Sequence, residues 1–324
     1  MNAPERVPWH EGERALQNLA GVGERMAELG PRVLRDHMPE QHRLFFPQLP
    51  FLVAGSIDDR HQPWASVLAA PPGFVHSPDP QHLRVDARPL AGDPLAAALV
   101  PGASIGLLGI EPHTRRRNRM NGVIDVVDAE GFSVEVRQSF GNCPRYIQAR
   151  EAVFVPCDAA PKVVQLGGRL DANARRMVTH ADTFFIATAY PSVAGSGVDG
   201  EPSHGVDVSH RGGRPGFVGL SGEGTLTVPD FDGNLFFNTL GNIVVHPRAG
   251  LLFIDFETGD LLQVAVSAEV IWNGPEVDAF EGARRLLRMQ VLAARRMPAA
   301  LPLRWGRAQM SPHLEATGRW AQAA

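Results

Sequence analysis

The stretch "SHRGGRPGFV" (Ser209–Val218) sets a hydroxyl, an imidazole and a guanidinium ahead of two glycines, then returns at once to an apolar run. Glycine backbone beside an arginine suits an anion, because unshielded N–H groups can approach it next to a fixed cation. Taken alone, the Gly-Gly pair also reads as an ordinary turn. Its second half recurs as "PPGFV" at Pro71–Val75, and this echo decides the fold. "PGFV" starts at Pro72 and again at Pro215, an offset of 143; "GLL" starts at Gly106 and again at Gly250, an offset of 144. Two nearly equal offsets on apolar segments predict an internal duplication of roughly 140 residues, the size of a domain and far longer than a solenoid unit. Two such domains in one chain can pack as a pseudo-dimer, with the two-fold arrangement that homodimers favour.

The surrounding segments predict β-domains. "FLVAGSI", "WASVLAA", "HLRVDA", "SIGLLGI", "GVIDVVDA" and "FSVEVRQ" in the first half, and "TFFIATA", "HGVDVS", "GFVGL", "TLTVP", "AGLLFIDF" and "LLQVAVSAEVIW" in the second, are short apolar or β-branched runs between Pro, Gly and Asp punctuation. Helices are expected at four places. Leu16, Leu19, Val22, Met26 and Leu29 form one apolar stripe broken at Gly30-Pro31, while "NCPRYIQAREAVF", "DANARRMVTHA" and "EGARRLLRMQVLAARR" complete the set. In the last of these, Leu286, Leu287 and Met289–Val291 would make the apolar face. The Pro-containing seam Val155–Val164 predicts a linker, dividing 1–160 (N-terminal helix and first β-domain) from 161–324 (second β-domain and C-terminal helix).

Composition narrows the function. Hydrophobic content of 44% and charged content of 20% over 324 residues describe a globular chain with a sizeable core. Net charge is −4 with no long basic run, which argues against nucleic acid as partner. Lys162 is the only lysine, so anions must be met by arginine or backbone N–H, and a Schiff base has a single candidate. Cys143 and Cys157 lack metal-ligand or CxxC spacing, against a disulfide framework or structural zinc. His180, His204 and His246 have no ligand spacing either. The N-terminal "MNAPERVPWHEGER" is charged where a signal peptide is apolar, and the apolar run Leu95–Ile110 is broken at Pro101-Gly102, short of a membrane span; a cytoplasmic protein is expected.

The halves diverge at their loops, the second being the polar one. Where the first has "VLAAP", the second has "SHRGGR"; where the first has "DARPLAGDPLAAAL", the second has "PDFDGNLFFNTLGNI". Asp230, Asp232, Gly233, Asn234, Asn238 and Asn242 thus form a turn leading into a helix N-terminus, a natural place for an anion. Asp-Gly also reads as a plain hairpin turn, and Asn238 and Asn242, four apart, as local caps. Ser209 and His210 are neighbours on a strand, so their side chains face opposite ways and do not make a nucleophile–base pair.

In their order and spacing, "DVSHRGGRPGFV", "TLTVPDFDGN", "NTLGNI", "HPRAGLLFIDF" and "LLQVAVSAEV" resemble the pyridoxamine 5′-phosphate oxidase-related family of FMN-binding split barrels, over about Thr183–Trp272. "PWASVLAAPPGFV", "TRRRNRMNG" and "FGNCPRYIQ" resemble the front half of its two-barrel members. The resemblance implies a mainly β fold with flanking helices: two tandem FMN-binding split β-barrels of six strands each, packed as a pseudo-dimer with FMN between them. It places the strand along the flavin ring at Asp207, Val208 and Ser209, followed by His210, Arg211 as the basic phosphate contact, and Gly212. Pro229 and Asp230 fall at the ribityl phosphate. The basic pair of the oxidases proper falls on Asn234 and Leu235, a departure that weighs against vitamin B6 phosphate oxidation. Gln263 falls at the flavin pyrimidine edge, and its repeat counterpart is Arg119. "HTRRRNR" reads either as a solvated loop or as a segment reaching across to the flavin phosphate with Arg117 and Arg119; Asn142 and Arg145 would serve the partner barrel's site. The implied activity is flavin hydride transfer with a small-molecule substrate. No cysteine cluster suits an iron–sulfur centre, so electrons would come from NAD(P)H or a separate reductase. A non-catalytic flavin-binding or sensing protein is one alternative. A haem-binding split barrel, with His210 or His246 axial, is another. Whether two chains pair further stays open.

Overall fold

The computed structural model describes residues 8–141, 143–155, 162–190 and 201–320. Its first sheet contains β1 (Phe51–Ile57), β2 (Pro63–Ala69), β3 (Val75–Asp79), β4 (His82–Val85), β5 (Ser104–Glu111), β6 (Arg116–Val127) and β7 (Phe132–Gly141), in the order β2-β1-β5-β6-β7-β4-β3. After β8 (Ala152–Phe154) and β9 (Val164–Gly167) comes the second sheet. It contains β10 (Thr183–Tyr190), β11 (Gly205–Gly212), β12 (Gly219–Ser221), β13 (Thr225–Asp230), β14 (Arg248–Ile254), β15 (Leu261–Ile271) and β16 (Arg285–Met297), in the order β11-β10-β14-β15-β16-β13-β12, with β9 added on β16. Strand for strand the two orders coincide. β17 (Leu303–Trp305) pairs with β8 and ties the chain's end to the segment between the halves. The helices are α1 (Glu11–Leu19), α2 (Gly23–Val33), α5 (Ala172–His180) and α6 (Asn238–Val245), with single turns α3 (Glu40–Arg43), α4 (Leu95–Ala98) and α7 (Pro275–Asp278).

The apolar strands read as continuous runs because they serve two cores. Along β1, Leu52 and Ala54 enter the first half's own core, whereas Phe51 and Val53 enter a core shared between halves. β10 does the same with Phe184 and Ile186 against Phe185 and Ala187, and β14 with Leu251 and Phe253 against Leu252 and Ile254. Alternate side chains point to opposite faces, so a strand apolar at every position is what a doubly covered sheet requires. The approach of the sheets is close. A Cβ at Gly106 of β5 would stand 2.5 Å from the Val206 carbonyl oxygen of β11, and one at Gly250 of β14 would run into the Pro63 carbonyl of β2. These two contacts exchange under the strand correspondence, β5 for β14 and β11 for β2, as a two-fold arrangement demands.

Several expectations are corrected. The hydrogen-bonded path of each sheet is open, ending in β2 and β3 or in β11 and β12, and it has seven strands, not six. The N-terminal stripe is two helices, because Gly21 (φ 71°) turns the chain left-handed, while Pro31 lies inside α2. α1 packs on α6 of the second half. "GFVGL" is a turn leading into β12, and the described part of "NCPRYIQAREAVF" holds no helix. The C-terminal "helix" is strand β16: Leu287, Met289 and Val291 point inward with Gln290 and Leu292 outward, and the chain is hydrogen-bonded on both sides, to β15 and β13. Two full ladders outweigh the helix propensity of Leu, Arg, Ala and Met. Among the described residues no helix is long and apolar enough to cross a membrane.

Candidate functional site

Where β6 of the first half meets β11, β13, β16 and α6 of the second, a cavity of about 110 Å³ is walled by four arginines: Arg117, Arg119, Arg211 and Arg285. β6 contributes Arg117 and Arg119, two apart and therefore on one face. The Arg117 Nε donates to the Cys143 carbonyl (3.0 Å) and its Nη1 to the His210 carbonyl (3.4 Å), crossing to the second half. Arg119, only 5% exposed, donates to Asn238 Oδ1 (3.1 Å) and lies 3.5 Å from Asp207 Oδ1. Arg211 pairs with Asp230. Arg285, the β16 register partner of Asp230, lies 3.6 Å from its other oxygen and stacks over Phe237 and Trp272.

Four guanidinium groups face two carboxylates, Asp230 and Asp207, leaving two positive charges. Burial pulls Arg117 down to about 9, with repulsion from Arg119 and Arg211 adding to it; burial likewise lowers Arg119 and Arg285. Since guanidinium does not deprotonate in proteins, all four stay charged, and these directions reflect first the cost of burying them and then their mutual repulsion. The hydrogen bonds agree: Arg211 Nε and Arg285 Nε and Nη1 are buried with no hydrogen-bond partner among the described residues, and an unmet buried donor costs about 1–3 kcal/mol. The floor is the first turn of α6, whose Asn238, Thr239 and Leu240 line the cavity. Its N-cap is Phe237, which has no side-chain acceptor for the orphan N–H groups. Phe237 and Leu235, both on the wall, have φ of 63°, a left-handed strain that concentrates at functional sites.

Behind this wall lies a buried polar network. Asp207 accepts from Asn121 Nδ2 (2.6 Å) and Asn242 Nδ2 (3.0 Å), Asn242 also reaches Thr188, and Asn238 donates to Glu13 Oε1 of α1 (2.5 Å). Burial first, then Asp207, pushes the Glu13 carboxyl well above the usual range. His10, the N-cap of α1, is lowered to about 4 by burial and is therefore neutral near pH 7.

Of the residues singled out in the sequence, Ser209, His210, Arg211, Asp230, Asn234, Arg117 and Arg119 line the cavity. The Ser209 hydroxyl accepts from Thr239 (3.1 Å), whereas the His210 ring packs edge-on against Phe185 and is held neutral by burial and by Arg117 and Arg211; they form no nucleophile–base pair. Asp207 stands behind Arg119, Val208 enters the shared core, Gly212 lies against the Tyr146 carbonyl, and Pro229 is buried within β13. Gln263 is elsewhere: its Nε2 reaches Ala65, Ser66 and Asp93 in the first half. Arg145 is exposed and does not line the cavity, and Asn142 lies outside the described residues. Asn238 and Asn242 bind across elements instead of capping locally. Sequence reading missed Arg285, Thr239, Asn121 and Glu13. An alternation count on Arg285–Val291 was the available signal for the first; none marks Glu13.

No family model and no curated protein matches the chain. Among solved structures, HupZ of Group A Streptococcus is 13% identical, over 39% of this chain and 92% of its own, with a TM-score of 0.28. A Lactobacillus delbrueckii protein provisionally named a pyridoxamine 5′-phosphate oxidase is 14% identical, over 40% and 97%, at 0.29. MrkH of K. pneumonia in complex with c-di-GMP is 10% identical, over 75% and 78%, at 0.19. At these scores none carries an argument about this chain.

Proposed function

We propose that the two halves are tandem split barrels derived from a duplication, and that the cavity between them holds the phosphate of FMN in a flavin-dependent oxidoreductase acting on a small molecule. The observation behind this reading is the cluster of four arginines, Arg119 and Arg285 buried and Arg117 and Arg211 half-buried, in which Arg211 and Arg285 keep unmet N–H donors. Two surplus positive charges suit a phosphomonoester, which carries nearly −2 at neutral pH, and planar guanidinium forks suit its oxygens. Size agrees too. About 110 Å³ is well under the roughly 300 Å³ of a pocket that encloses a whole organic ligand, so the cavity takes the anionic end and the remainder extends from it.

Arg211 and Arg285 would grip the phosphate from the second half, Arg117 and Arg119 from the first. The α6 first turn would donate backbone N–H, and Asp230 and Asp207 hold the guanidiniums at fixed angles. When bound, the flavin ring supplies hydride acceptance and return. His210, neutral and wedged on Phe185, adds no charge beside the anion. Reduction would draw on NAD(P)H or a separate reductase.

The test is a spectrum and a titration. Purified protein should carry, or take up, FMN and bind riboflavin far more weakly, and NAD(P)H should bleach the bound flavin, with colour returning in air. A protein indifferent to FMN, or one showing a Soret band instead, refutes the reading.

A further inference from the structure

The arginine cavity has a positional counterpart in the other half, and register locates it residue by residue. Gly55 pairs with Gly106 and Ala65 as Ala187 pairs with Gly250 and Val208, so Ser66 corresponds to Ser209 and Leu68 to Arg211. Leu108 pairs with Arg119 as Leu252 pairs with Gln263, so Arg119 corresponds to Gln263, and Arg117, two residues earlier, to Leu261. His82 pairs with Glu135 as Thr225 pairs with Gln290, and Val85 pairs with Phe132 as Val228 pairs with Leu287; there the first half's ladder ends, short of any counterpart to the Asp230–Arg285 pair. Three cations of the open site, Arg211, Arg117 and Arg119, are therefore replaced, by Leu68, Leu261 and Gln263, and Arg285 has no paired counterpart.

The counterpart is not merely uncharged; it is filled. Gln263 crosses to the first half as Arg119 crosses to the second, and its Nε2 donates to the Ala65 carbonyl (3.0 Å), Ser66 Oγ (3.2 Å) and Asp93 Oδ2 (3.0 Å). Ser66 donates to Asp93 Oδ1 (2.5 Å), which also accepts from the Leu95 N–H at the start of α4. Gln263, Ser66 and Asp93 are all buried. α4 lies between β4 and β5 where α6 lies between β13 and β14. The bonds that a ligand would make at one interface are made at the other by the chain itself.

We infer that this second interface site is a closed polar plug, so that the chain takes up one phosphorylated ligand and not two, clasped by β6 of the first half and β11, β13 and β16 of the second. The inference rests on the anion reading of the cavity. Calorimetric titration of the full chain with FMN, and separately with inorganic phosphate, should give one site per chain. Arg119→Gln, which gives the open site the residue of the closed one, should weaken FMN by about 30-fold or more, the worth of a lost charge-assisted contact. Asp93→Asn should leave the FMN Kd within twofold and lower Tm, and Ser66→Ala serves the same purpose if Asp93→Asn does not fold. Two sites per chain overturn the inference, as does a plug variant that loses FMN as completely as Arg119→Gln. A flat isotherm for the unaltered chain with both probes overturns the anion reading together with it, and is distinct from a two-site curve.

Discussion

Replacing Arg285 by Met separates an anion site from a structural arginine cluster. Arg285 is 7% exposed, and its Nε and Nη1 have no hydrogen-bond partner among the described residues. Its contribution there is a 3.6 Å ion pair with Asp230 and stacking on Phe237 and Trp272, set against burial of a charge that Arg211 repels. Met keeps the apolar contact with both rings, removes the buried cation and leaves Asp230 paired with Arg211. Cation–π loss of about 1 kcal/mol roughly offsets relief of unmet donors worth a similar amount, so Tm without ligand should move by no more than about 3 °C. With phosphate present the balance changes. Hydrogen bonds to a charged group contribute about 1.5–3 kcal/mol each, so losing one net contact weakens FMN about 10- to 150-fold. Fluorescence titration reads this conveniently, since Trp272 lies 4.5 Å from the guanidinium. Riboflavin, which lacks the phosphate, is the control, and its affinity should be unchanged. Equal losses for FMN and riboflavin, or a large fall in Tm without ligand, would refute the reasoning.

Arg211→Ala should also weaken FMN by at least tenfold and flatten the salt dependence of binding, measured between low and physiological ionic strength; unchanged affinity would put the phosphate elsewhere. Arg145→Ala, on an exposed residue that does not line the cavity, should leave FMN affinity within twofold in the same titration. Gly106→Ala should cost about 1–3 kcal/mol by overpacking against Val206, seen as a lower urea midpoint. His10 has a folded-state pKa of about 4 against 6.5 unfolded, so its contribution is complete above pH 6.5 and lost as pH falls toward 4, on the order of 3 kcal/mol. Glu13, raised by burial, acts with opposite sign as pH falls, so the measurement is the pH 7-to-4.5 stability difference between wild type and His10→Asn, which keeps a cap acceptor. Parallel curves would remove His10 from the account.

Sheet content and repeat were legible because two constraints act locally. A strand covered on both faces must be largely apolar, as β1, β10 and β14 are, and the turns that lead into β3 and β12 carry the string "PGFV" in phase. Half of the site was legible for a similar reason: polar residues on β11 and before α6 stand where the first half is apolar. What stayed hidden depends on long-range pairing. Arg285 sits in a run of helix-forming residues, and only its two ladders make that run a strand that aims a guanidinium at Asp230. Gln263 lies at the other interface, away from the arginine cavity, because a two-fold arrangement offers two equivalent places and a linear match cannot tell which one a crossing side chain enters. Glu13 reaches Asn238 over a sequence separation of 225, and nothing in "EGER" signals it.

The asymmetry between the halves has a thermodynamic motive. An open anion site at a buried interface leaves donors unmet whenever the ligand is absent, here Arg211 Nε and Arg285 Nε and Nη1. At about 1–3 kcal/mol for each unmet group, one such site already consumes several kcal/mol of a total stability that is typically only about 5–15 kcal/mol. Two open sites would leave a ligand-free chain close to unfolding. At the other interface Gln263 Nε2, Ser66 and Asp93 bond one another, with Gln263 Oε1 the one buried polar atom of the three side chains lacking a partner among the described residues, so closing it costs less than a second cluster of unmet guanidinium donors. Bound phosphate would return part of the open site's cost as stabilisation, about 2.7 kcal/mol at a hundredfold excess over Kd. Wild type should therefore gain Tm with FMN, whereas Arg285→Met should gain at most about half as much at the same concentration. An equal gain in both would place the stabilising contact outside the arginine cluster.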